Sequence, residues 1–310
     1  MTKKEVPELI AISATHEVRW KHIARRNQTM NNVKKTCRLI ALDMDGTLLR
    51  DDKSVDPGTI RDIEAAASAG IEVVYSSGRS VAELLPYVHV LPAIRYGVCM
   101  SGALVYDFRE RCPVYKKAVE QKYVLQIAAE AARADAMLQL LTEEAAFVSA
   151  EQVTHMEDFH MEQYQALYRE AATLEADMMK TAGRLPCVEK VNIFYRNAAD
   201  RTRGYEALKA LPLTFAFAEE TSLEMNAEGV TKAEGLRILT EYLGITMDET
   251  AGIGDGENDR AMLEAAGLSI AMGNASEAIR EICDFVTDDN EHNGVGKAIR
   301  KWCLSTAATP

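Results

Sequence analysis

No apolar run in this 310-residue chain approaches the ~18 residues that a membrane-crossing helix needs, so no membrane partner is expected. The six cysteines, Cys37, Cys99, Cys112, Cys187, Cys283 and Cys303, are scattered. None forms a CxxC pair, and no closely spaced cysteine–histidine set suggests zinc. They read as reduced thiols of a cytoplasmic protein. Positive charge is also short: 35 Lys and Arg stand against 47 Asp and Glu, a net charge of −12. A phosphate-backbone binder needs clustered basic side chains, so no nucleic-acid partner is expected. No internal repeat or low-complexity tract stands out.

What is present is ordinary globular composition over a length that suggests two domains, at ~150 residues each. Residues 1–37 read as a separate N-terminal extension. They are polar and lack the continuous apolar core of a signal peptide, and interspersed acids disfavour a transit peptide. Either the functional chain starts at Met30 or the extension is a loosely attached helix.

Beyond residue 37, apolar strands alternate with helices. LIAL runs straight into DMDGT. Pro57–Ala69 reads as a helix with Asp56 as its N-cap and Gly70 just past its end. IEVVYSSGRS repeats the opening pattern, a helix begins at Val81–Leu85, and Tyr96–Met100 is a strand. This order implies βαβ units and a largely parallel sheet buried on both faces. The middle differs. VEQKYVLQIAAEAARADAMLQLL reads as one long helix, followed by a strand at VEKVNIFY, a helix at ADRTRGYEALKAL and a strand at LTFAFAE. The first pattern then returns with KAEGLRILTEYLG, AGIGD, RAMLEAAG and LSIAMGNA. The expected organisation is an α/β core from residues 38–112 and 219–310, with an inserted α+β unit at 113–218.

Three of the apolar strands end in polar clusters: Asp43 and Asp45; Ser77, Gly78 and Arg79; Asp255, Asn258 and Asp259. In open parallel sheets the site lies outside the carboxyl ends of the strands, which can bring these groups into one crevice. Lys232 sits near the start of a helix leading toward the third cluster. Carboxylates held together raise each other's pKa unless a cation offsets them. Mg²⁺, a hard ion held by carboxylates, waters and phosphate, suits that task. Ser77 can hydrogen-bond a phosphate, Lys232 can neutralise charge, and Gly46 frees backbone N–H groups for the same oxygens. The set suits phosphoryl transfer.

Blander readings exist for each part. An acidic pair at a strand end also caps helices, and Arg79 fits structural pairing as well as substrate contact. An EF-hand fails on count, with Leu48 and Ser54 where glycine and glutamate are required. THMEDFHMEQY offers His155, Glu157, Asp158 and His160 as a second metal site. It lacks i, i+4 ligand pairs on a clear helix, so a solvated loop or helix end is the stronger reading.

These motifs together resemble the haloacid dehalogenase superfamily and, within it, the Cof-type hydrolases. DMDGTLL (43–49) is similar to the DxDGT(L/V) motif, SSGR (76–79) to the second motif, LEMNAEGVTKAEGL (223–236) to the lysine motif and GDGENDRAML (254–263) to the acidic motif. AMGNASEAI (271–279) and NGVGKAI (293–299) match in type and order. One departure is SGA, with Ser101 where the family usually has asparagine. The resemblance implies a Rossmannoid parallel sheet with the insert as a cap that sets substrate specificity. Asp43 would be the nucleophile and Asp45 the general acid and base. Mg²⁺ would be held by Asp43, the Asp45 carbonyl and Asp255, with Asp259 orienting its waters from outside the ligand set. The phosphoryl group would be held by Ser77, Lys232 and Asn258 and by the backbone around Met44, Gly46 and Gly78. The implied activity is hydrolysis of a small phosphorylated metabolite (sugar, nucleotide or vitamin phosphate) through an aspartyl-phosphate, by a monomer or homodimer. The alternatives are a phosphomutase or a sucrose/trehalose-phosphate-type phosphatase of a related capped branch. A non-enzymatic phosphorylation switch fits less well, because its acceptor aspartate normally lies on a later strand of a much smaller domain.

Overall fold

The computed structural model describes residues 37–304. The expectations for the N-terminal extension, including a start at Met30, lie outside the described residues. The chain opens with β1 (Leu39–Leu42), α1 (Pro57–Ser68), β2 (Glu72–Ser76), α2 (Val81–Val90), β3 (Tyr96–Cys99), β4 (Leu104–Asp107) and β5 (Cys112–Lys116). A middle stretch follows with α3 (Gln121–Arg133), β6 (Met137–Leu141), β7 (Ala146–Ser149), α4 (Gln165–Ala171), β8 (Ala172–Glu175), α5 (Met178–Arg184), β9 (Lys190–Phe194), α6 (Ala198–Leu208), β10 (Leu213–Ala216) and β11 (Ser222–Ala227). The last part holds α7 (Lys232–Leu243), β12 (Thr250–Gly254), α8 (Arg260–Ala265), β13 (Leu268–Ala271), α9 (Glu277–Ile282), β14 (Phe285–Val286) and α10 (Gly294–Ala298).

The first sheet has the order β14-β13-β12-β1-β2-β3-β4-β5, parallel from β14 to β3 and antiparallel at β4 and β5. Every residue of β1 is buried. Ile40 and Leu42 pack with Ile63 and Ala66 of α1 and Val295 of α10, while Leu39 and Ala41 pack with Leu236 of α7, Met262 of α8 and Ile279 of α9. Helices therefore cover both faces, which is why β1 is apolar throughout and can carry polar groups only past its end. Local signals agree with this core. Asp56 accepts from the N–H groups of Gly58 and Thr59 to start α1, and Ser80 with Glu83 forms a capping box on α2.

The second sheet has the order β10-β11-β9-β6-β7-β8 and is antiparallel except between β7 and β8. One face is apolar: Leu138, Leu140, Val191, Ile193, Leu223 and Met225 pack on Val124 and Ile127 of α3, Ala182 of α5 and Leu208 of α6. The alternate residues Gln139, Lys190, Asn192, Glu224 and Asn226 are polar and also buried. Two expectations need correction here. The long helix stops at Arg133; Asp135 adopts φ 49°, and Met137–Leu141 forms β6. Pairing with β7 and β9 in a buried sheet outweighs the helix preference of Met, Leu and Gln. Sheet membership also moves both edges of the inserted unit. β5 pairs with β4 in the first sheet, so residues 113–116 stay there; their polar look is that of a partly exposed edge strand. β11 pairs with β9 and β10, so the second sheet runs on to Ala227 rather than ending by 218.

Candidate active site

The register of β1 levels its end with those of its neighbours: Leu42 lies opposite Ile253 of β12 and Tyr75 of β2. The three polar clusters that follow these strands therefore meet. Asp43 donates its backbone N–H to Ile253 O at 3.0 Å, and its carboxylate is buried. Lys232 opens α7 directly after the Thr231 cap. Its Nζ lies 2.6 Å from Asp43 Oδ1 and 2.6 Å from Asp259 Oδ1. Asp259 Oδ2 accepts from the N–H groups of Asp255 and Gly256 at 3.0 and 3.1 Å, while Thr47 Oγ1 donates to Asp255 Oδ1 at 2.7 Å.

Asp43, Asp255 and Asp259 each bring one oxygen within 4.8 Å of the others. One buried ammonium, Lys232, pairs with two of these three carboxylates, so negative charge is left over. Burial, and then the Asp259 charge, push the Asp43 carboxyl well above its usual range against the pull of Lys232. Burial and the Asp259 charge also push Asp255 up to about 6, against the Thr47 hydrogen bond. Burial disfavours charge on Lys232, but Asp259 and Asp43 overcome it and keep the ammonium protonated. An oxygen-only donor set with surplus negative charge fits a hard divalent cation. Asp259 lies inside this cluster rather than behind it. Both of its oxygens are already engaged, which leaves Asp43 and Asp255 as the better donors.

Asp45 is turned elsewhere. Arg79 Nε and Nη2 donate to its two oxygens at 2.8 Å each, and Lys53 Nζ adds a third contact at 2.8 Å. Burial would raise its pKa, but the Arg79 hydrogen bonds and the Arg79 and Lys53 charges outweigh this and hold it at about 2. The resemblance assigned Asp45 to metal through its backbone carbonyl alone, so this side-chain pairing does not bear on that assignment. Arg79 thus pairs with Asp45, while its buried Nη1 is left unpartnered among the described residues.

The other expected residues divide. Ser77 is buried beside the cluster, its Oγ accepting from Arg79 N at 3.2 Å. Gly46 has φ 80°, and a Cβ there would lie 2.4 Å from Asp255 Oδ2, so no side chain fits. Met44 sends its side chain into the core, so only its backbone can serve the site. Asn258 is half-buried, its Oδ1 against Gly256. In the 154–164 stretch, Asp158 pairs with Arg196 at 2.8 Å, and His160 Nε2 meets the backbone oxygen of Arg196 at 3.1 Å.

Sequence reasoning missed several neighbours. Asn274 Nδ2 donates to Gly46 O at 2.8 Å, and Lys53 lies 5.0 Å from the Tyr164 ring centroid. From the second sheet, Lys190 Nζ reaches Gly78 O and Ser101 Oγ at 3.1 Å each and Glu224 Oε2 at 2.8 Å. Thr47 and Asn274 stand inside quoted motifs and were readable there; Lys53 and Lys190 carry no such signal.

Residues 40–299 match the family of haloacid dehalogenase-like hydrolases, and the chain belongs to that family. Its relatives include the 5-amino-6-(5-phospho-D-ribitylamino)uracil phosphatase YcsE of Bacillus subtilis, 29% identical over 276 residues, covering 86% of this chain and 96% of that one. The pyridoxal phosphate phosphatase YbhA of Escherichia coli is 26% identical over 272 residues, covering 85% and 98%. A haloacid dehalogenase-like hydrolase structure from B. subtilis superposes with a TM-score of 0.76 at 25% identity, over 85% of this chain and 99% of that one. Within the family the chain is a phosphatase, a phosphoric monoester hydrolase. Among the described residues, no helix is long and apolar enough to cross a membrane.

Proposed function

We propose that the protein is a Mg²⁺-dependent phosphatase that hydrolyses a small phosphate ester through an aspartyl-phosphate on Asp43. The observation that carries this is the Asp43 carboxylate at the end of β1, paired with Lys232 and set beside Asp255. Mg²⁺ held by Asp43, the Asp45 carbonyl and Asp255 would offset the charge of both the carboxylates and the phosphoryl group. Asp43 attacks phosphorus and the P–O bond to the leaving alcohol breaks. Lys232, Ser77 and Asn258 hold the phosphoryl oxygens.

Asp45 then has two tasks. As the alcohol leaves it must give a proton, and as water attacks the aspartyl-phosphate it must take one. Its low pKa keeps it ionised, as the second task requires, but leaves it a weak base until its pairing loosens. For the first, the ester's own oxygens compete for Arg79 and Lys53, and with those contacts loosened the carboxyl can bind a proton. The second sheet acts as a cap: Tyr164 lies over Lys53, and Lys190 contacts the loop that carries Ser77. The ribitylaminouracil and pyridoxal phosphates named for the relatives fall in the expected class of small phosphorylated metabolites.

Acid quench of the enzyme during turnover, followed by peptide mass analysis, tests the covalent step. A phosphoryl group on the peptide holding Asp43 is expected. Phosphorylation of a different residue, or turnover with none at all, would overturn the proposal.

A further inference from the structure

The loop after β3 is strained. Met100 and Ser101 both adopt the left-handed region, at φ 50° and 58°, where residues with a Cβ are uncommon. Such a pair persists only where its surroundings hold it. Here the second sheet holds it. Asn226 Nδ2 of β11 donates to Met100 O at 3.1 Å, and Lys190 Nζ of β9 donates to Ser101 Oγ at 3.1 Å. Ser101 is buried, and its hydroxyl donates onward to Glu224 Oε2 at 3.4 Å.

This loop in turn grips the one after β2. Ser101 N donates to Ser77 O and Met100 N to Arg79 O, each at 2.9 Å. Lys190 Nζ takes the carbonyl between them, Gly78 O, at 3.1 Å. All three carbonyl oxygens of Ser77, Gly78 and Arg79 are therefore engaged. In a trans peptide the N–H of the next residue points away from the carbonyl, and no peptide among the described residues is cis. The N–H groups of Gly78 and Arg79 thus turn away from these donors. Arg79 N accordingly reaches Ser77 Oγ at 3.2 Å. A carbonyl on that side would repel a phosphoryl oxygen, whereas an N–H or hydroxyl attracts one.

Resting on the reading that Ser77 and its neighbouring backbone receive the phosphoryl group, we propose that Ser101 and Lys190 are positioning residues for phosphate binding. They act through the loop after β2, keeping its carbonyls turned from the anion. Phosphate affinity is thereby tied to the seating of the second sheet. Ser101, which stands where the family usually has asparagine, is the joint: its N–H holds Ser77 and its Oγ holds Lys190.

Calorimetric titration of the full-length protein with Mg²⁺ alone, and then with inorganic phosphate in Mg²⁺, tests this. Ser101→Ala keeps the backbone contacts and removes the hydroxyl. It should weaken phosphate about 3- to 10-fold and leave Mg²⁺ affinity within about twofold. Gly78→Ala reaches the same contact from the other loop. Its Cβ would lie 3.0 Å from Lys190 Nζ, so it should push the ammonium aside and weaken phosphate by a similar factor. Phosphate affinity unchanged in both variants, or Mg²⁺ and phosphate affinity falling in step, would overturn the assignment while leaving the phosphatase reading intact. A wild-type protein that binds no phosphate and releases none from p-nitrophenyl phosphate would overturn both.

Discussion

The two sheets carry their polar groups in opposite places. In the first, helices cover both faces, so polar residues are pushed past the strand ends. There they crowd: three carboxylates cluster, one ammonium pairs with two of them, and the charge does not balance. In the second, helices cover one face, and polar residues alternate along the strands on the other. There charge does balance, through Lys190 and Glu224. The difference teaches a division of labour. Unbalanced charge at strand ends is suited to moving a phosphoryl group, and a charge-paired, hydrogen-bonded face is suited to seating the second sheet against the loops after β2 and β3.

The largest effects should fall on the first region. Asp43→Asn should lower turnover at least ~10⁴-fold on every ester. Its melting temperature should not fall, because the change removes one of three crowded carboxylates; a collapsed melting transition would mean that Asp43 is structural. Asp45→Asn should slow turnover by roughly 10²–10⁴-fold, with Mg²⁺ affinity by calorimetry unchanged. Wild-type rates in this variant would remove Asp45 from proton transfer.

The second region should respond in stability before chemistry. Lys190→Met leaves Glu224 without its cation at a mostly buried site and should cost on the order of 3–5 kcal/mol in denaturant titration. An unchanged midpoint would show that the Lys190–Glu224 pair contributes little to seating the cap.

The smallest effect is a pH dependence in chelator. Asp255 is raised to about 6 in the folded protein, above its ordinary value, so the folded state keeps its proton longer than the unfolded chain does. That contribution is most favourable below about pH 4 and is lost as pH rises to about 6. Asp255→Asn should therefore gain stability over wild type across that window. A difference that stays constant with pH would contradict the charge imbalance described for the first region.

The same contrast explains what the amino-acid sequence discloses. Asp43, Ser77 and Asp255 follow apolar runs directly, so the end of each strand announces them. Lys232 follows a threonine cap and is nearly as visible. Asn192 and Glu224 sit inside ordinary amphipathic alternation, which periodicity alone reads as one wet and one dry face. Gln139 is hidden further, within a stretch whose composition favours a helix and which becomes a strand only through its partners. The ends of the insert are hidden for a related reason. Sheet membership is a pairing property, and neither CPVYK nor SLEMNA states its partner locally.

The most direct test of the central claim is phosphate release from small esters by wild type and Asp43→Asn, each with Mg²⁺ and with chelator. Release by wild type that stops on chelation and is absent in Asp43→Asn is the predicted result. Release that persists in chelator, or that survives the loss of the Asp43 carboxylate, would contradict it.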